Sequence, residues 1–336
     1  MQKKIVIVGA GVAGINAATK LVDNGYPGEL ITIIDKGNDP INRLPEEVMT
    51  GMLGAGGWSD GKLTYHTAIG GQLAKYCGEE KAMELMKQVV DNFTRFHPKP
   101  EEIFMSDPQE EPEFIKPYFG LRMFPVWHIG SNFLHEIAVH WYQYLLDKGV
   151  KFMWNAEVTN INFDMNRVTI NYKIDIHNIY YDELIFAVGK SGIDFAQSLS
   201  DQYKLPTEPK SVQIGVRFEA PQKYFQKLID VSYDFKLYQK FDNVSLRSFC
   251  TNNNAAYVAV EETYGDVSYN GHAKKGEQFR NDMTNFGILM EIKGIEDPFK
   301  WSRDVVKACQ AGGTGLYYSP NMTRKRGLTS EGTTVA

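Results

Sequence analysis

The sequence predicts a mixed α/β protein in which a parallel sheet near the amino end is followed by a β-rich region. Three observations predict this fold class: a β-branched run at 5–8 that leads into a glycine-rich turn, apolar residues at helical spacing after that turn, and strand-like segments that predominate between about 205 and 290. The 336 residues are 43% hydrophobic and 23% charged, so disordered and fibrous classes are excluded.

The amino end carries a complete strand, turn, helix and strand. The turn contains Gly9, Gly11 and Gly14, and the next strand, 30–34, ends in Asp35. In such a GxGxxG turn the first glycine permits a tight bend, the second lets backbone N–H groups approach a pyrophosphate, and the third lets helix and strand pack closely. Asp35 would accept hydrogen bonds from a ribose. The unit therefore predicts a Rossmann-like dinucleotide site, and its other predicted contacts are Val12, Ala13 and Lys36.

The middle of the chain alternates loops, helices and short strands. A glycine-rich segment from 42 to 71 is too long for a plain connector. An amphipathic helix is predicted over 79–96, and a proline-punctuated acidic surface excursion over about 98–125. The next helix is predicted to be capped by Ser131 and to end near Lys148. The strands expected after it are 151–154, 156–163, 167–172 and 182–188, with a hairpin at 164–166.

Three features favour FAD over NAD as the dinucleotide. The strand ladder near Val158 returns to a turn at Ala187 and Gly189, which is typical of the adenine side of two-dinucleotide flavoproteins. The glycine loop 51–61 could deliver donors to a flavin, and a second complete GxGxxG motif is missing. The predicted cofactor contacts of this loop are Gly57, Ser59, Asp60 and Lys62.

The cysteines and the charge limit the chemistry and the partners. Cys77, Cys250 and Cys309 form no CxxC pair and no metal-ligand spacing, so we expect no dithiol centre, no metal and a reducing compartment. A flavin would then be reduced by the substrate or by an external donor. The net charge of −5 gives nucleic acid no support as a partner, and the glycines interrupt any apolar leader or membrane segment, so we expect a cytoplasmic protein.

One loop carries a family resemblance. Residues 54–64, GAGGWSDGKLT, resemble the SDGKL loop of uncharacterised bacterial FAD-dependent dehydrogenases. Further matches follow in the same order, at 128–131, 187–191, 214–219, 249–250 and 270–272, so the resemblance covers nearly all of residues 4–290.

The predicted fold is a glutathione-reductase-type FAD-binding domain with a β-rich substrate domain. We expect the FAD-binding domain over 1–190, the substrate domain over 191–290, and a return segment with a tail over 291–336. Members of the resembled family are longer and close over the flavin with a glycine-rich segment. Here 312–315 or 330–332 would replace that segment, or the flavin edge is more open.

A compact chain of this type is also similar to bacteriophage flavin enzymes of thymidine hypermodification. In those enzymes an amino acid attached to the thymine methyl group is oxidised and cleaved. This resemblance implies a base-linked amino-acid substrate and the host cytoplasm as the location.

Flavin oxidation needs a cation near the flavin ring and a base for the substrate. Lys62 is the candidate cation, with an exposed loop lysine as the alternative. His128 and His66 are the candidate bases, since histidine titrates near neutral pH, and a structural hydrogen bond is the alternative for His128. His272 is a candidate for facing the substrate, or else a histidine in a hairpin turn. Arg217 is a candidate clamp for a carboxylate or phosphate, or the internal partner of a glutamate.

The sequence thus predicts a FAD-dependent oxidoreductase. The expected reaction is hydride transfer from a C–H bond next to an amine or hydroxyl to flavin N5, with an amino-acid-like substrate and with oxygen or a carrier as the electron acceptor. The alternatives are a flavin-dependent lyase acting on an amino-acid-modified thymine in phage DNA and a non-catalytic FAD-bound module.

Overall fold

The computed structural model describes residues 2–44, 47–208, 211–242, 244–263, 266–310, 316–317 and 332–335. The segments 312–315 and 330–331, where a shortened closing segment was expected, lie outside the described residues. Contacts divide the chain into two compact units. The first unit comprises Met1–Trp58, Arg95–Pro98 and Leu134–Thr207, and the second comprises Ser59–Thr94, Lys99–Phe133 and Glu208–Ala336.

The elements are numbered along the chain. The strands are β1 Ile5–Val8, β2 Ile31–Ile34, β3 Lys62–Thr64, β4 Phe104–Ser106, β5 Gly120–Arg122, β6 Val126–His128, β7 Lys151–Met153, β8 Ala156–Asn162, β9 Arg167–Tyr172, β10 Asp175–Tyr180, β11 Glu183–Phe186, β12 Val212–Pro221, β13 Lys236–Lys240, β14 Val244–Asn252, β15 Ala256–Thr263, β16 Asp266–Ala273, β17 Met283–Ile292, β18 Leu316–Tyr317 and β19 Gly332–Val335. The α-helices are α1 Val12–Asp23, α2 Leu73–Cys77, α3 Glu79–Arg95, α4 Leu134–Asp147, α5 Ile193–Tyr203, α6 Gln226–Ile229 and α7 Pro298–Gln310.

The first unit is built on a parallel sheet in the order β11–β1–β2–β7. Val8 at the end of β1 pairs with Ile34 on one side and with Phe186 on the other. The chain passes from β1 to β2 and β7, and then returns to place β11 on the opposite side of β1. The strand order therefore reverses at β1, and in open α/β sheets ligands bind beyond the carboxyl ends of the strands at such a point.

A three-stranded antiparallel sheet, β10–β9–β8, completes the first unit. The predicted hairpin at 164–166 is confirmed, since Asn162 of β8 pairs with Arg167 of β9. Asn166 adopts a left-handed φ of 48°, which asparagine tolerates better than most residues. Apolar side chains of this sheet pack with Val6, Val8 and other residues of the parallel sheet in one core.

Helix α4 packs against α1 through an apolar face with one polar contact. Trp141 is fully buried, and its indole N–H donates to the Thr19 hydroxyl over 2.7 Å. That bond satisfies the only polar atom of the Trp141 side chain. The helix begins at Leu134, because residues 131–133 form a turn of 3₁₀-helix where Ser131 was predicted to cap.

The second unit is predominantly β. Its largest sheet has the order β18–β19–β12–β17–β14–β13–β5, accompanied by the hairpin β15–β16 and the small sheet β3–β6–β4. Ile115, Leu228, Phe235 and Phe286 form one of its buried clusters. Together with the parallel sheet of the first unit, this arrangement confirms a mixed α/β protein with a β-rich region.

The predicted domains over 1–190, 191–290 and 291–336 stay a prediction. The predicted surface excursion at 98–125 supplies the strands β4 and β5. Strand β4 pairs with β6, and β5 pairs with β13. Three-residue strands carry too little alternation to be visible in the sequence. Among the described helices, none is long and apolar enough to cross a membrane.

Candidate functional site

The glycine turn after β1 has the close approaches that its motif requires. Gly9 has a φ of +106°, and a Cβ atom there would lie 2.2 Å from the carbonyl oxygen of Ala187. A Cβ atom on Gly14 would lie 2.0 Å from the carbonyl oxygen of Gly9. Both contacts are far too short for a real side chain. These two positions therefore accept only glycine, as the motif predicts.

Gly11 differs from its two neighbours because its surroundings are open. Its φ of −65° suits any residue, and a Cβ atom there would meet nothing within 4 Å. Helix α1 begins directly after Gly11, and no side chain of the described residues caps it. The first N–H groups of a helix have no partner within the helix, so those of Val12, Ala13 and Gly14 are suited to bind an anion.

Asp35 fastens the turn to the chain that follows β2. One of its carboxylate oxygens accepts the N–H of Ala10, and the other accepts the N–H groups of Gly37 and Gly51, all over 2.8 Å. Burial raises the pKa of Asp35, and these amides and the charge of Arg43 counter part of the rise. A carboxylate has about four lone-pair sites, so three amide bonds leave capacity for a ribose hydroxyl.

The predicted glycine loop lies directly against the turn. The N–H of Leu53 donates to the carbonyl of Ala10 over 2.8 Å, and a Cβ atom on Gly56 would lie 2.3 Å from a methyl group of Val12. A Cβ atom on Gly57 would lie 2.9 Å from the Arg43 guanidinium. Residues 51–57 thus line the start of α1, and the contacts of this loop with a flavin stay a prediction.

Arg43 organises this loop and was missed by the sequence analysis. Its guanidinium donates to the carbonyl oxygens of Glu47, Val48, Met52 and Gly54 over 2.7–3.0 Å. Burial lowers its pKa, and the charges of Glu47 and Asp35 oppose that effect. A lone arginine in an aperiodic segment gives no sequence signal of such a role.

Four other predicted cofactor contacts are placed in the first unit. The Lys36 ammonium group donates to the carbonyl of Ser191 over 3.0 Å, and Val158 packs against the core between the two sheets. The N–H of Ala187 donates to the carbonyl of Val8 over 2.8 Å, which holds Ala187 beside Gly9. Gly189 has a φ of +58° and, like Gly11, open space where a Cβ would stand.

In the second unit, Lys62 lies within a buried cluster of charges. Its ammonium nitrogen is 3.0 Å from Asp60 and 3.6 Å from Asp234, and it also donates to the carbonyl of Thr251. The Lys62 side chain is only 4% exposed. Burial works to lower its pKa, but the charges of Asp234 and Asp60 hold that pKa above the ordinary lysine value. The alternative of an exposed loop lysine is therefore wrong.

The two aspartates of this cluster have further partners. Asp234 also binds Lys236 over 2.7 Å, and although burial opposes the effect, the two lysines lower the pKa of Asp234 to about 2. Asp60 accepts the thiol of Cys250 over 2.8 Å. Burial and the charge of Asp60 raise the pKa of Cys250, so this residue is a protonated thiol rather than a nucleophilic thiolate.

His128 pairs with Lys62 across strands β6 and β3 and is 3% exposed. Burial and the positive charges of Lys275 and Lys62 lower its pKa to about 3. Its imidazole is therefore neutral over the physiological pH range. The assignment of His128 as a base assumed that it titrates near neutral pH, and in this environment it does not. Its Nε2 lies 3.5 Å from the hydroxyl of Tyr233, at the limit of a hydrogen bond.

His128 also lines a cavity of about 450 Å³ together with Phe104, Tyr233 and Lys275. The Lys275 ammonium group lies 4.2 Å from the centre of the Phe104 ring, and it donates to the carbonyl of Glu102. Burial lowers the pKa of Lys275 to about 8. Groups with displaced pKa values that share a cavity are typical of functional sites.

His66 and His272 have different surroundings. His66 is half-buried beyond β3, accepts the N–H of Ala68 over 3.0 Å, and contacts the ring of Phe124. His272 lies in strand β16 rather than in a turn. Its Nδ1 is 3.0 Å from the carbonyl oxygen of Ser59, and its Nε2 is 3.1 Å from Glu261.

The His272 contacts fix one proton. Because a carbonyl oxygen can only accept, Nδ1 of His272 carries a hydrogen, and Nε2 and the Glu261 carboxyl share the other position. The ring stacks on Tyr257 with centroids 5.1 Å apart. Histidine and glutamate here form a buried hydrogen-bonded pair.

Arg217 in β12 is 3% exposed. It donates to the side-chain oxygen of Asn285 over 3.1 Å and to the carbonyl of Cys250 over 2.8 Å. A Cβ atom on Gly271 would lie 1.5 Å from its guanidinium, so only glycine fits opposite it. The Asn285 and Cys250 oxygens are thus among its partners. The ligand clamp and the pairing with Glu219 or Glu261 both stay predictions.

The sequence also left Asp234, Tyr233 and Lys275 unnoticed. Each of these three residues lies far along the chain from Lys62 and His128 and approaches them only when distant strands and loops come together in the fold. Among the described residues, no group of three or more histidine, cysteine, aspartate or glutamate side chains is arranged to hold a metal ion.

Comparisons with known proteins give likenesses of shape. No protein-family model matches the chain, and no curated protein matches it. The chain is similar to the solved structure of halogenase PltM, with 14% identity over 91% of this chain and 56% of that one and a TM-score of 0.39. It is also similar to a flavoprotein/dehydrogenase from Cytophaga hutchinsonii, with 12% identity over 90% of this chain and 60% of that one and a TM-score of 0.41. A third similar structure is CtdE in complex with FAD, with 10% identity over 100% of this chain and 72% of that one and a TM-score of 0.40. The chain spans 56% of the first and 60% of the second. No function follows from likenesses of this size.

Proposed function

We propose that this protein is a FAD-dependent oxidoreductase with a glutathione-reductase-type nucleotide fold. The observation that carries the proposal is the glycine turn at the reversal of strand order. There an uncapped helix, α1, begins beside the open space at Gly11. A negatively charged pyrophosphate fits that place, because unpaired N–H groups and the positive end of the helix dipole both face it.

The residues around the turn suit the rest of a dinucleotide. Asp35 retains an acceptor site for a ribose, and residues 51–57 are held beside the helix start by Arg43. FAD, when bound, supplies the N5 atom that accepts a hydride from a C–H bond next to an amine or hydroxyl. With no second complete GxGxxG motif and no CxxC pair in the sequence, the substrate itself is proposed as the reductant, and oxygen or a carrier as the acceptor.

The substrate is proposed to be amino-acid-like and to bind in the cavity beside His128. Three cationic side chains, Lys274, Lys275 and Arg280, line that cavity together with the carboxylates of Glu102 and Glu277. Arg280 already pairs with Asp282, so Lys274 and Lys275 are proposed to bind the substrate carboxylate. His128 stays neutral and can donate or accept a hydrogen bond there, but with a pKa of about 3 it is a weak base. The His272–Glu261 pair is therefore the better candidate for holding a proton.

The first test is the visible spectrum of the purified protein, with release of the cofactor and its identification by mass. The informative variant is Gly11→Val. A Cβ atom at Gly11 would meet nothing within 4 Å, so we expect the variant to fold and to lose at least tenfold in FAD affinity. Lys20→Ala, an exposed change in the same helix, is the control and should retain FAD. A colourless wild-type protein that binds NAD would overturn the proposal.

The second test is anaerobic bleaching of the flavin by panels of amines, amino acids and hydroxy acids. Bleaching by an amino acid should weaken in Lys275→Met through a higher KM with little change in kcat, because the lysine is proposed to bind rather than react. FAD that responds neither to the panels nor to sulfite would instead indicate a non-catalytic module.

A further inference from the structure

The second unit has another cavity that the proposed function does not use, and more cationic than acidic side chains line it. Its volume is about 410 Å³, and it lies over the strands β5, β13, β14 and β17. Five cationic side chains line it, whereas only two carboxylates do, those of Asp242 and Glu291. The five are Arg122, Lys236, Lys240, Arg247 and Lys293.

The register of the sheet places this charge on one face. Lys236, Tyr238 and Lys240 alternate along β13 and so share a face. Lys236 is directly opposite Arg122, and Tyr238 is directly opposite Arg247. Like charges directly opposite each other destabilise a sheet. Asp234 compensates Lys236, which leaves the charge of Arg122 on this face.

The acidic groups near these cations are fewer than the cations themselves, and one of them, Glu291, interacts electrostatically with both Arg247 and Lys293. Lys236 binds Asp234 over 2.7 Å, but in the part of the chain that the structure describes Arg122, Lys240 and Lys293 form no ion pair. Arg247 donates to the neutral side chain of Gln213. Exposed lysines elsewhere, such as Lys81 and Lys87 on α3, do pair with acidic neighbours. The cavity thus keeps an excess of positive charge, to which Arg122 and Lys240 contribute most directly.

Aromatic rings accompany the charge. The guanidinium of Arg122 lies 4.9 Å from the centre of the Tyr238 ring, and Phe241 at the rim is 54% exposed. A neighbouring cavity of about 440 Å³ shares Tyr238 and Lys240 and is lined by Tyr118, which is 69% exposed. Exposed rings beside cations suit a ligand with a flat ring and a negative charge.

We propose that this cavity binds a nucleoside phosphate, with the cations compensating the phosphate and Phe241 contacting the base. The volume lies within the usual range for small-ligand pockets. The ligand could be a free nucleotide or one residue of a nucleic-acid strand, which share this chemistry. None of the residues involved belongs to the glycine turn or lines the cavity beside His128.

The experiment is a calorimetric titration of the Gly11→Val protein, in which nucleotide binding at the glycine turn is expected to be lost, and the FAD content of the variant checks that loss independently. The probes are adenosine monophosphate, a short oligoadenylate and inorganic pyrophosphate. Lys240→Gln/Lys293→Gln should weaken nucleotide binding at least tenfold. The charge-matched control Lys81→Gln/Lys87→Gln should leave it unchanged. Both double variants change only exposed side chains, so folding should be preserved.

A second pair of variants tests the base contact. Phe241→Ser should weaken adenosine monophosphate binding several-fold, and Tyr76→Ser, an equally drastic change at a 79% exposed ring, should not. Binding of the monophosphate identifies a free nucleotide as the ligand, and binding of the oligoadenylate alone identifies a strand. Pyrophosphate that binds as tightly as the nucleotide, or affinity unchanged in both cavity variants, would overturn the proposal. Because FAD content is measured separately, neither result bears on the proposed function.

Discussion

Replacing Lys62 by methionine should destabilise the protein strongly, because the lysine charge is enclosed between two carboxylates. At an effective dielectric constant of about 20, a contact of 3.0 Å to Asp60 and one of 3.6 Å to Asp234 are each worth about 5 kcal/mol before desolvation. Removing one partner of a buried ion pair typically costs about 3–5 kcal/mol. Since Lys236 still compensates Asp234, we expect a loss within that range.

The loss should depend on pH. Lys62 lowers the pKa of Asp234 to about 2, below the value of about 3.9 in an unfolded chain. In the wild type this stabilisation is present above about pH 4 and is lost as the pH falls towards 2. In Lys62→Met, burial would instead raise the pKa of Asp60, whereas Lys236 would still lower the pKa of Asp234. At lower pH a buried carboxylate that has lost the Lys62 charge becomes protonated, and its unfavourable negative charge is removed. The difference between Lys62→Met and wild type in the free energy of unfolding should therefore be largest at pH 7 and smaller near pH 4.5.

Urea unfolding followed by tryptophan fluorescence at both pH values measures this. Lys87→Met is the matched control, because its ion pair with Asp91 is exposed and should contribute little. A loss in the free energy of unfolding below about 1 kcal/mol at pH 7, or a loss that does not vary with pH, would refute the conclusion that Lys62 compensates Asp60 and Asp234. Lys62 would then be available for the flavin-side role that the sequence suggests.

Three further outcomes are expected. Arg43→Met should cost about 2–4 kcal/mol in urea unfolding and Arg43→Lys should not restore it, because an ammonium group cannot serve four carbonyls in a fork. In an NMR titration, the imidazole of His128 should not titrate between pH 5 and 8, and a titration midpoint near 6.5 would contradict this. Because the pKa of His128 is about 3 in the folded protein, below its value in the unfolded chain, the protein should also lose stability as the pH falls through 6.5. In a thiol-reagent assay at pH 8, the exposed Cys77 should react rapidly and Cys250 much more slowly, so equal rates would contradict a protonated thiol held by Asp60.

The local parts of the fold could be predicted from the sequence. Gly9 and Gly14 mark backbone positions where a Cβ atom collides, and such positions are visible as glycines at fixed spacing. The hairpin at 164–166 and the strands of the β-rich region have short-range signals of the same kind. These features depend on residues close together in the chain, so periodicity and turn chemistry suffice.

The charge cluster could not be predicted, because it depends on long-range pairing. Asp60 and Lys62 precede Asp234 and Cys250 by more than half the chain, and only the folded second unit brings their side chains together. The sequence identified Lys62 as chemically notable but could not show that two carboxylates enclose it. The same limit applies to His128, whose pKa depends on its burial and on the charge of Lys275, a residue that follows the distant strand β16.

The irregular pairing in β14 has a consequence for how this chain can vary. The register against β17 shifts between Phe249 and Asn252, and Cys250 there has a left-handed φ of 53°. Since side chains alternate faces along a strand, losing or gaining one residue here would turn one half of β14 over relative to the other. The thiol of Cys250 and the carbonyl of Thr251 would then leave Asp60 and Lys62. Natural relatives should therefore differ here by substitution rather than by insertion or deletion.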